Sequence, residues 1–265
     1  MRDILRWSCQ VHQKIFNMDS QITKSSSKMN KNDSHSRLSM SVENYLLSIF
    51  QITEQGVRVT STSLLDQLKN LPAGEGLGTT LPSVSGMLGR MSREDLILIT
   101  SDKEILFTDQ GLKFAENIVR RHRLAERMVV DILGLDLHKA HVEAHRLEHA
   151  ISPDLEEKIS QKLKNPLTCP FGHPIPGSGY VPYDAVIRLS EASANKRFIV
   201  DRVPEEDQVL LEYFVDNHLI PDQIIKVQEV APYRGVIRLD SRDSKDIVMG
   251  YEVASKVWVR CAETI

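Results

Sequence analysis

"HKAHVEAHRLEHA", residues 138–150, places four histidines and two glutamates in thirteen positions. On a helix, His141, His145, Glu148 and His149 stand at i, i+4, i+7 and i+8 and share one stripe. Neutral imidazoles and an ionised carboxylate at that spacing are how a chain presents ligands to a divalent metal. The competing reading is a solvated, charged helix face. Four donors in register, flanked by the apolar Ala144, Leu147 and Ile151, favour the metal site.

The surrounding chain is long enough, at 265 residues, for two or three small domains. A hydrophobic fraction of 41% with 26% charged residues is that of an ordinary globular protein. No apolar run reaches the roughly 18 to 20 residues of a membrane span, and no apolar signal-peptide region opens the sequence, so the expected location is the cytoplasm with no membrane partner. Cys9, Cys169 and Cys261 are odd in number, widely spaced and contain no C-x-x-C, so neither a disulfide framework nor a zinc ribbon is indicated. A net charge of −3 gives no overall basic footprint, so nucleic-acid binding would require a local patch or charge supplied by a bound ion.

Residues 1–37 are Ser-, Asn- and Lys-rich and read as a disordered extension. From Ser41, an apolar stripe of Val42, Tyr45, Leu46, Ile49 and Ile52 predicts a helix ending at Gly56. "VTSTSLLDQLKN" predicts a short second helix, and "TLPSVSGMLGRMSREDL" a third with Pro82 in its first turn. "LILITSDKEILFT" predicts a hairpin, so residues 38–110 spell a winged helix-turn-helix. Residues 111–180 predict a long amphipathic helix or helix pair, the histidine-rich helix with Asp136 as N-cap, a helix capped by Ser152 with Pro153 at its start, and a Pro/Gly-rich linker or ordered loop. Residues 181–265 alternate in strand fashion around one helical insert, "EDQVLLEYFVDNHLI", which predicts a small β-barrel. The expected fold is therefore mainly α with α+β modules.

"RRHRLAERMVVDILGLDLHKAHVEAHRLEHAIS", residues 120–152, extended by "NPLTCPFGHPIPG", residues 165–177, resembles the diphtheria toxin repressor family of iron- and manganese-dependent transcription regulators. The similarity runs from about Leu38 to the end, more weakly after Tyr180. It implies a winged helix-turn-helix, a helical dimerisation domain that holds metal, and a C-terminal SH3-like barrel. It also implies two metal sites per subunit: a primary set of Asn44, His145, Glu148 and His149, and an ancillary set of His122, Glu126 and His141, to which Glu205 and Gln208 of "PEEDQ" correspond as third-domain ligands. The spacing of His122 and Glu126, i and i+4, is compatible with a shared ion. Iron-sensing relatives carry Met and Cys where this chain has Asn44 and His145, and manganese-sensing relatives carry Asp and Glu, so neither pattern identifies the metal. The alternatives are a core histidine at 145, a surface amide at 44, and a plain helix cap for Glu205 and Gln208. Cys169 with His173 is either a further ligand pair or a buried loop cysteine.

In the third helix, Thr80, Pro82, Ser83, Ser85 and Gly86 form a small-residue start that a phosphate or base edge can approach, with Arg90 and Arg93 on the next turns. Without the preceding helix-turn-helix pattern, "RMSRED" would be a solvated face. The turn before this helix, within residues 69–79, is about nine residues longer than the resemblance implies, where a helix-turn-helix normally uses a tight turn. Together these features predict a non-enzymatic repressor that uses Fe2+ or Mn2+ and binds double-stranded DNA as a homodimer on an inverted repeat, with Leu124, Met128, Val129, Ile132 and Leu133 as candidate dimer contacts. The alternative is a zinc metallopeptidase, because "HRLEH", residues 145–149, matches H-x-x-E-H.

Overall fold

The first helix, α1 (Met40–Glu54), forms on the predicted stripe, and Val42, Tyr45, Leu46, Ile49 and Ile52 are all buried. Its other face is buried too, although it carries Glu43, Asn44, Ser48 and Gln51. Polar side chains on a buried face need partners from other elements: Glu43 takes Arg121 of α4 (Asp109–Arg127), on which α1 packs, Asn44 meets His149 and Gln51 meets Glu205, while the Ser48 hydroxyl has no partner among the described residues. Gly56 ends the helix at a φ of +72°, a left-handed turn that a residue with a Cβ adopts at a cost, while the Val57 N–H closes on the Ile52 carbonyl at 3.2 Å. The computed structural model describes residues 38–69, 71, 78 and 80–262; the extension 1–37 and most of the long turn before the third helix lie outside the described residues.

In α2 (Ser61–Leu68), Thr60 and Ser63 cap each other's backbone, and in α3 (Leu81–Arg93) the Thr80 hydroxyl accepts from the Ser83 N–H with Pro82 in the first turn. Val84, Leu88 and Met91, at i, i+4 and i+7, turn inward and leave the opposite face of α3 exposed. β1 (Ile97–Ile99) and β2 (Ile105–Phe107) pair antiparallel as the wing. Three helices and a hairpin match the expected winged helix.

α4 runs directly out of the wing and passes into a π-helical turn, Met128–Ile132, that re-phases the helix just after Glu126. This corrects part of the expected dimer surface. Leu124 and Val129 are buried in the protomer's own cores, and Met128 packs against the former, whereas Ile132 and Leu133 stay 43% and 67% exposed. α5 (Leu137–Glu148) begins after Asp136, whose carboxylate takes Lys139 at 2.6 Å instead of capping the backbone. α6 (Pro153–Lys162) starts as predicted, with Ser152 accepting from the Leu155 N–H.

The Pro/Gly-rich stretch is an ordered, buried loop. Prolines supply carbonyls without N–H donors, so burial requires donors from elsewhere. Arg120, Arg123 and Arg127, on one face of α4, donate to the carbonyls of Pro176, Pro174 and Thr168. Gly172, at φ +91°, lies so close to the Asp201 carbonyl that a Cβ would stand 2.0 Å from its oxygen, and the Phe171 carbonyl beside it accepts from the Val203 N–H at 3.1 Å. The loop is thereby fastened to the third module.

That module is a six-stranded antiparallel sheet in the order β3–β8–β4–β5–β6–β7. Its strands are β3 (Val186–Arg188), β4 (Arg197–Arg202), β5 (Ile224–Ala231), β6 (Val236–Asp240), β7 (Ile247–Gly250) and β8 (Trp258–Cys261), with α7 (Gln208–Asp216) and the short α8 (Tyr251–Ala254) inserted. β7 and α8 were not anticipated, because "IVMGYEVA" is too short for either period to show. Val200, Phe214, Val227, Ile237 and Val259 share a core with Val129, Ala140, Cys169 and Phe171, so barrel and helical domain are fused through apolar packing. Among the described residues, no helix is long and apolar enough to cross a membrane.

Candidate metal centre

Two donor sets meet between α1, α4, α5 and the segment after β4. In the first, His149 Nε2 lies 2.9 Å from Asn44 Oδ1 and 3.4 Å from Glu148 Oε1, and His145 Nδ1 lies 3.4 Å from the same oxygen. In the second, His122 Nε2 lies 2.9 Å from Glu126 Oε1 and 3.2 Å from His141 Nδ1, and Glu205 completes a buried group whose ligand atoms all lie within 4.8 Å of one another. Bonds of about 2.0–2.2 Å to a central ion put neighbouring donors roughly 3 Å apart; the second set is compact enough as a group for one ion, whereas the first is linked pairwise through His149 Nε2 and Glu148 Oε1. Between the sets, the rings of His122, His141 and His145 stand 4.7–4.9 Å apart and form a common imidazole wall.

The chemistry of these donors also fits a cation. Glu126 Oε2, Glu148 Oε1 and both His145 nitrogens are buried without hydrogen-bond partners, and each such group costs about 1–3 kcal/mol unless something satisfies it. Burial pushes the His145 pKa down to about 4, so the ring is a neutral base with a free lone pair near pH 7. Burial pushes Glu148 up, but His145 and His122 outweigh it and bring the carboxyl down to about 2. An ionised Glu148 only accepts, so the 2.5 Å contact to its Oε2 is a hydrogen bond from His122 Nδ1–H. His122 Nε2 is then the nitrogen that faces the second set. Burial also raises Glu205, with the Glu126 charge adding to it; two carboxylates crowded together in one buried site favour a cation between them.

The residues just outside these sets orient them. Glu43 Oε2 accepts from His149 Nδ1 at 2.6 Å, and Arg121 holds Glu43 Oε1 at 2.7 Å. Burial raises the Glu43 pKa, but the His149 and Arg121 hydrogen bonds hold it below the usual carboxylate range. Glu43 thus fixes the tautomer that turns His149 Nε2 toward Asn44 and Glu148. Sequence reading missed Glu43 because adjacent positions on a helix diverge by about 100°, and nothing local pairs it with a residue more than a hundred positions away. It also missed Arg123, which is fully buried and paired with both oxygens of Glu54, at 3.1 and 2.5 Å.

Of the nominated ligands, Asn44, His145, Glu148 and His149 converge, and so do His122, Glu126, His141 and Glu205. Gln208 is exposed on the first turn of α7 and does not join the buried donors. Cys169 is buried, its thiol 3.9 Å from Glu205 Oε2, and His173 bridges Glu54 and the Val203 carbonyl. Neither belongs to a metal-competent group among the described residues. Thr80, Pro82, Ser83, Ser85, Gly86, Arg90 and Arg93 are all exposed, with Arg90 held 2.8 Å from Glu94.

The His122–Glu148 hydrogen bond joins the two sets, so substitutions within the second set differ in their effect on the first. His122→Ala removes a donor from the second set and an orienting partner from the first, so it lowers the affinity of both; Glu126→Ala removes only a second-set donor. Counting bound Mn2+ by electron paramagnetic resonance should show one strongly retained ion in Glu126→Ala and a loss of about tenfold or more at both positions in His122→Ala. Equal retention of the first ion in the two variants would contradict the link.

Fold and centre together are those of a metal-binding winged-helix protein. Residues 108–177 match the family model described as iron dependent repressor, metal binding and dimerisation domain, and residues 187–261 match the FeoA domain. The diphtheria toxin repressor of Corynebacterium diphtheriae is 37% identical over 135 residues, 51% of this chain and 56% of its own length, and the chain thus matches only about half the length of several such relatives. The iron-dependent repressor IdeR of Mycobacterium leprae is 31% identical over 232 residues, 82% of this chain and 95% of its own. A solved manganese-dependent transcriptional repressor in complex with manganese superposes with a TM-score of 0.72 at 28% identity, over 83% of this chain and 99% of its own. The chain belongs to the iron-dependent repressor family. The relatives are repressors, and Glu148 is buried and already engaged by His122, so the metallopeptidase reading has no support.

Proposed function

We propose that this chain is a metal-activated transcriptional repressor of the cytoplasm, using Fe2+ or Mn2+ at two sites per subunit and binding an inverted repeat in double-stranded DNA as a homodimer. One observation carries the reading: α1 of the winged helix contributes Asn44 to a donor set otherwise built by α5 and the residue that caps its C-terminus, His149. An ion held there ties the DNA-binding module to the helical domain and so biases where α3 points. The bound cation supplies charge and a fixed geometry; the chain supplies two imidazoles, a carboxylate and an amide oxygen to hold it. Mixed nitrogen and oxygen donors suit Fe2+ and Mn2+, with imidazole favouring the later metals.

Thr80, Pro82, Ser83, Ser85, Gly86, Arg90 and Arg93 form the DNA-facing side of α3 in this reading. Small residues at its start allow close approach to phosphates and bases, and the arginines add charge where the chain as a whole has none to spare. Ile132 and Leu133, exposed at the end of the π-helical turn and just after it, are the apolar side chains best placed for a second copy. Two copies double the phosphate contacts of a weakly basic module.

Duplexes selected from a random library with Mn2+-loaded protein, and then Fe2+-loaded protein under anaerobic conditions, should carry an inverted repeat. Fluorescence anisotropy in excess chelator should show affinity lower by about a hundredfold, and an isolated half-site should bind weakly. Arg90→Ala should weaken every sequence alike and reduce the salt slope by about 1 for each phosphate that the side chain no longer neutralises. Undiminished binding by demonstrably metal-free protein would refute the proposal.

A further inference from the structure

The segment after β4 does more than lend a ligand. Glu205, 2% exposed, receives the side-chain amide of Gln51 on α1: Gln51 Nε2 donates to Glu205 Oε1 at 2.9 Å. The oxygen of the same amide, Gln51 Oε1, accepts from Gln67 Nε2 of α2 at 3.3 Å. Gln67 Nε2 also reaches Glu206 Oε1 at 3.2 Å, and Gln55 Nε2 donates to that oxygen at 3.3 Å. The amide orientation of Gln51 is dictated on both sides, since a flip would set its oxygen against a carboxylate and its NH2 against that of Gln67.

We infer that Gln51, Gln67 and Glu206 are positioning residues that carry occupancy of the His122, Glu126, His141 and Glu205 donor set to α2 of the helix-turn-helix. The physical reason is the placement of Glu205. Without a cation, Glu126 and Glu205 are two carboxylates that repel each other in a buried site; a cation between them draws both to fixed positions. Glu205 then stands where Gln51 can meet it, and Gln51 in turn stands where Gln67 can meet it. Asn44, Ser48 and Gln51 follow one another at i, i+4 and i+7 along a single face of α1, with Gln55 just past its end. The two donor sets therefore grip α1 at Asn44 and at Gln51, seven residues or about 10 Å apart along its axis. One grip leaves a helix free to pivot, whereas two fix its direction, and the second continues into α2, which precedes the DNA-facing α3.

The inference rests on the proposed metal dependence of DNA binding for its final consequence, so the test separates the two. In the full chain, hydrogen exchange of residues 61–69 is compared with and without Mn2+, while Mn2+ stoichiometry is counted by electron paramagnetic resonance. Wild type should gain protection there on adding Mn2+. Gln51→Met, similar in length and lacking both polar atoms, should still bind two Mn2+ but show no such gain, and its metal-dependent increase in affinity for the selected inverted repeat should fall about five- to tenfold. Gln67→Met, at a partly exposed position, should do the same if Gln51→Met folds poorly. Glu206→Gln keeps an acceptor oxygen and should retain the protection that Glu206→Leu forfeits. Protection unchanged in Gln51→Met and Gln67→Met overturns the relay, as does a wild type whose residues 61–69 ignore Mn2+. A wild type that gains protection yet binds no inverted repeat ends the DNA-binding reading and leaves the relay standing.

Discussion

Glu148→Gln eliminates metal-dependent DNA binding, with metal affinity at the first donor set falling by at least the roughly hundredfold seen at the top of the range for outer-sphere losses. Glu148 has a dual role: Oε1 faces His145 and His149, and Oε2 accepts a hydrogen bond from His122. Glutamine keeps the size but removes the charge. Its amide also places an NH2 where one of two acceptors is required, so either the cation or His122 loses its partner. Isothermal titration of Mn2+ into the variant, followed by anisotropy on the selected duplex, reads both consequences. Binding of two ions with unchanged affinity would show that the carboxylate charge is dispensable and that the first set is wrongly drawn.

Glu54→Ala costs about 3–5 kcal/mol of folding stability, the range for a buried charge left without its partner. Arg123 is fully buried on α4 and pairs with Glu54 at the last residue of α1; the Pro174 carbonyl is its other acceptor. Burial lowers the Arg123 pKa, but Glu54 and Glu205 outweigh it and hold the group charged; without Glu54, the guanidinium keeps its charge inside a low-dielectric junction. His173, 3.3 Å from Glu54 Oε2, loses a partner as well. Urea denaturation should show the midpoint falling sharply. Arg123→Met with Glu54→Leu, which replaces the pair with apolar groups, should recover much of the loss, and no recovery would mean that the pair contributes through more than its buried charge.

The winged helix, the helical domain and the strand-rich C-terminal module were legible from periodicity because most of their helices and several of their strands bury one face. Val84, Leu88 and Met91 at helical spacing are an example, and so is Thr80 before Pro82. The candidate metal ligands were legible for a related reason. His141, His145, Glu148 and His149 crowd one stripe of one helix, and their chemistry has few other uses. The π-helical turn at Met128–Ile132 was not legible, and with it the division of the apolar residues around it between core and surface, because a one-residue change of phase leaves no mark in composition.

Local order along the chain thus determines which segments are helices or strands, which residue types can hold a metal, and which helix start can approach DNA, since these depend on neighbours within a few residues. Partnership is settled elsewhere. Glu43 meets His149, Arg123 meets Glu54, Gln51 meets Glu205 and the carbonyls of Thr168, Pro174 and Pro176 find the arginines of α4 only after three modules have packed. A buried charge or amide must be satisfied by whatever group the fold brings within about 3 Å, and that group lies dozens to more than a hundred residues away, where no period or motif points to it.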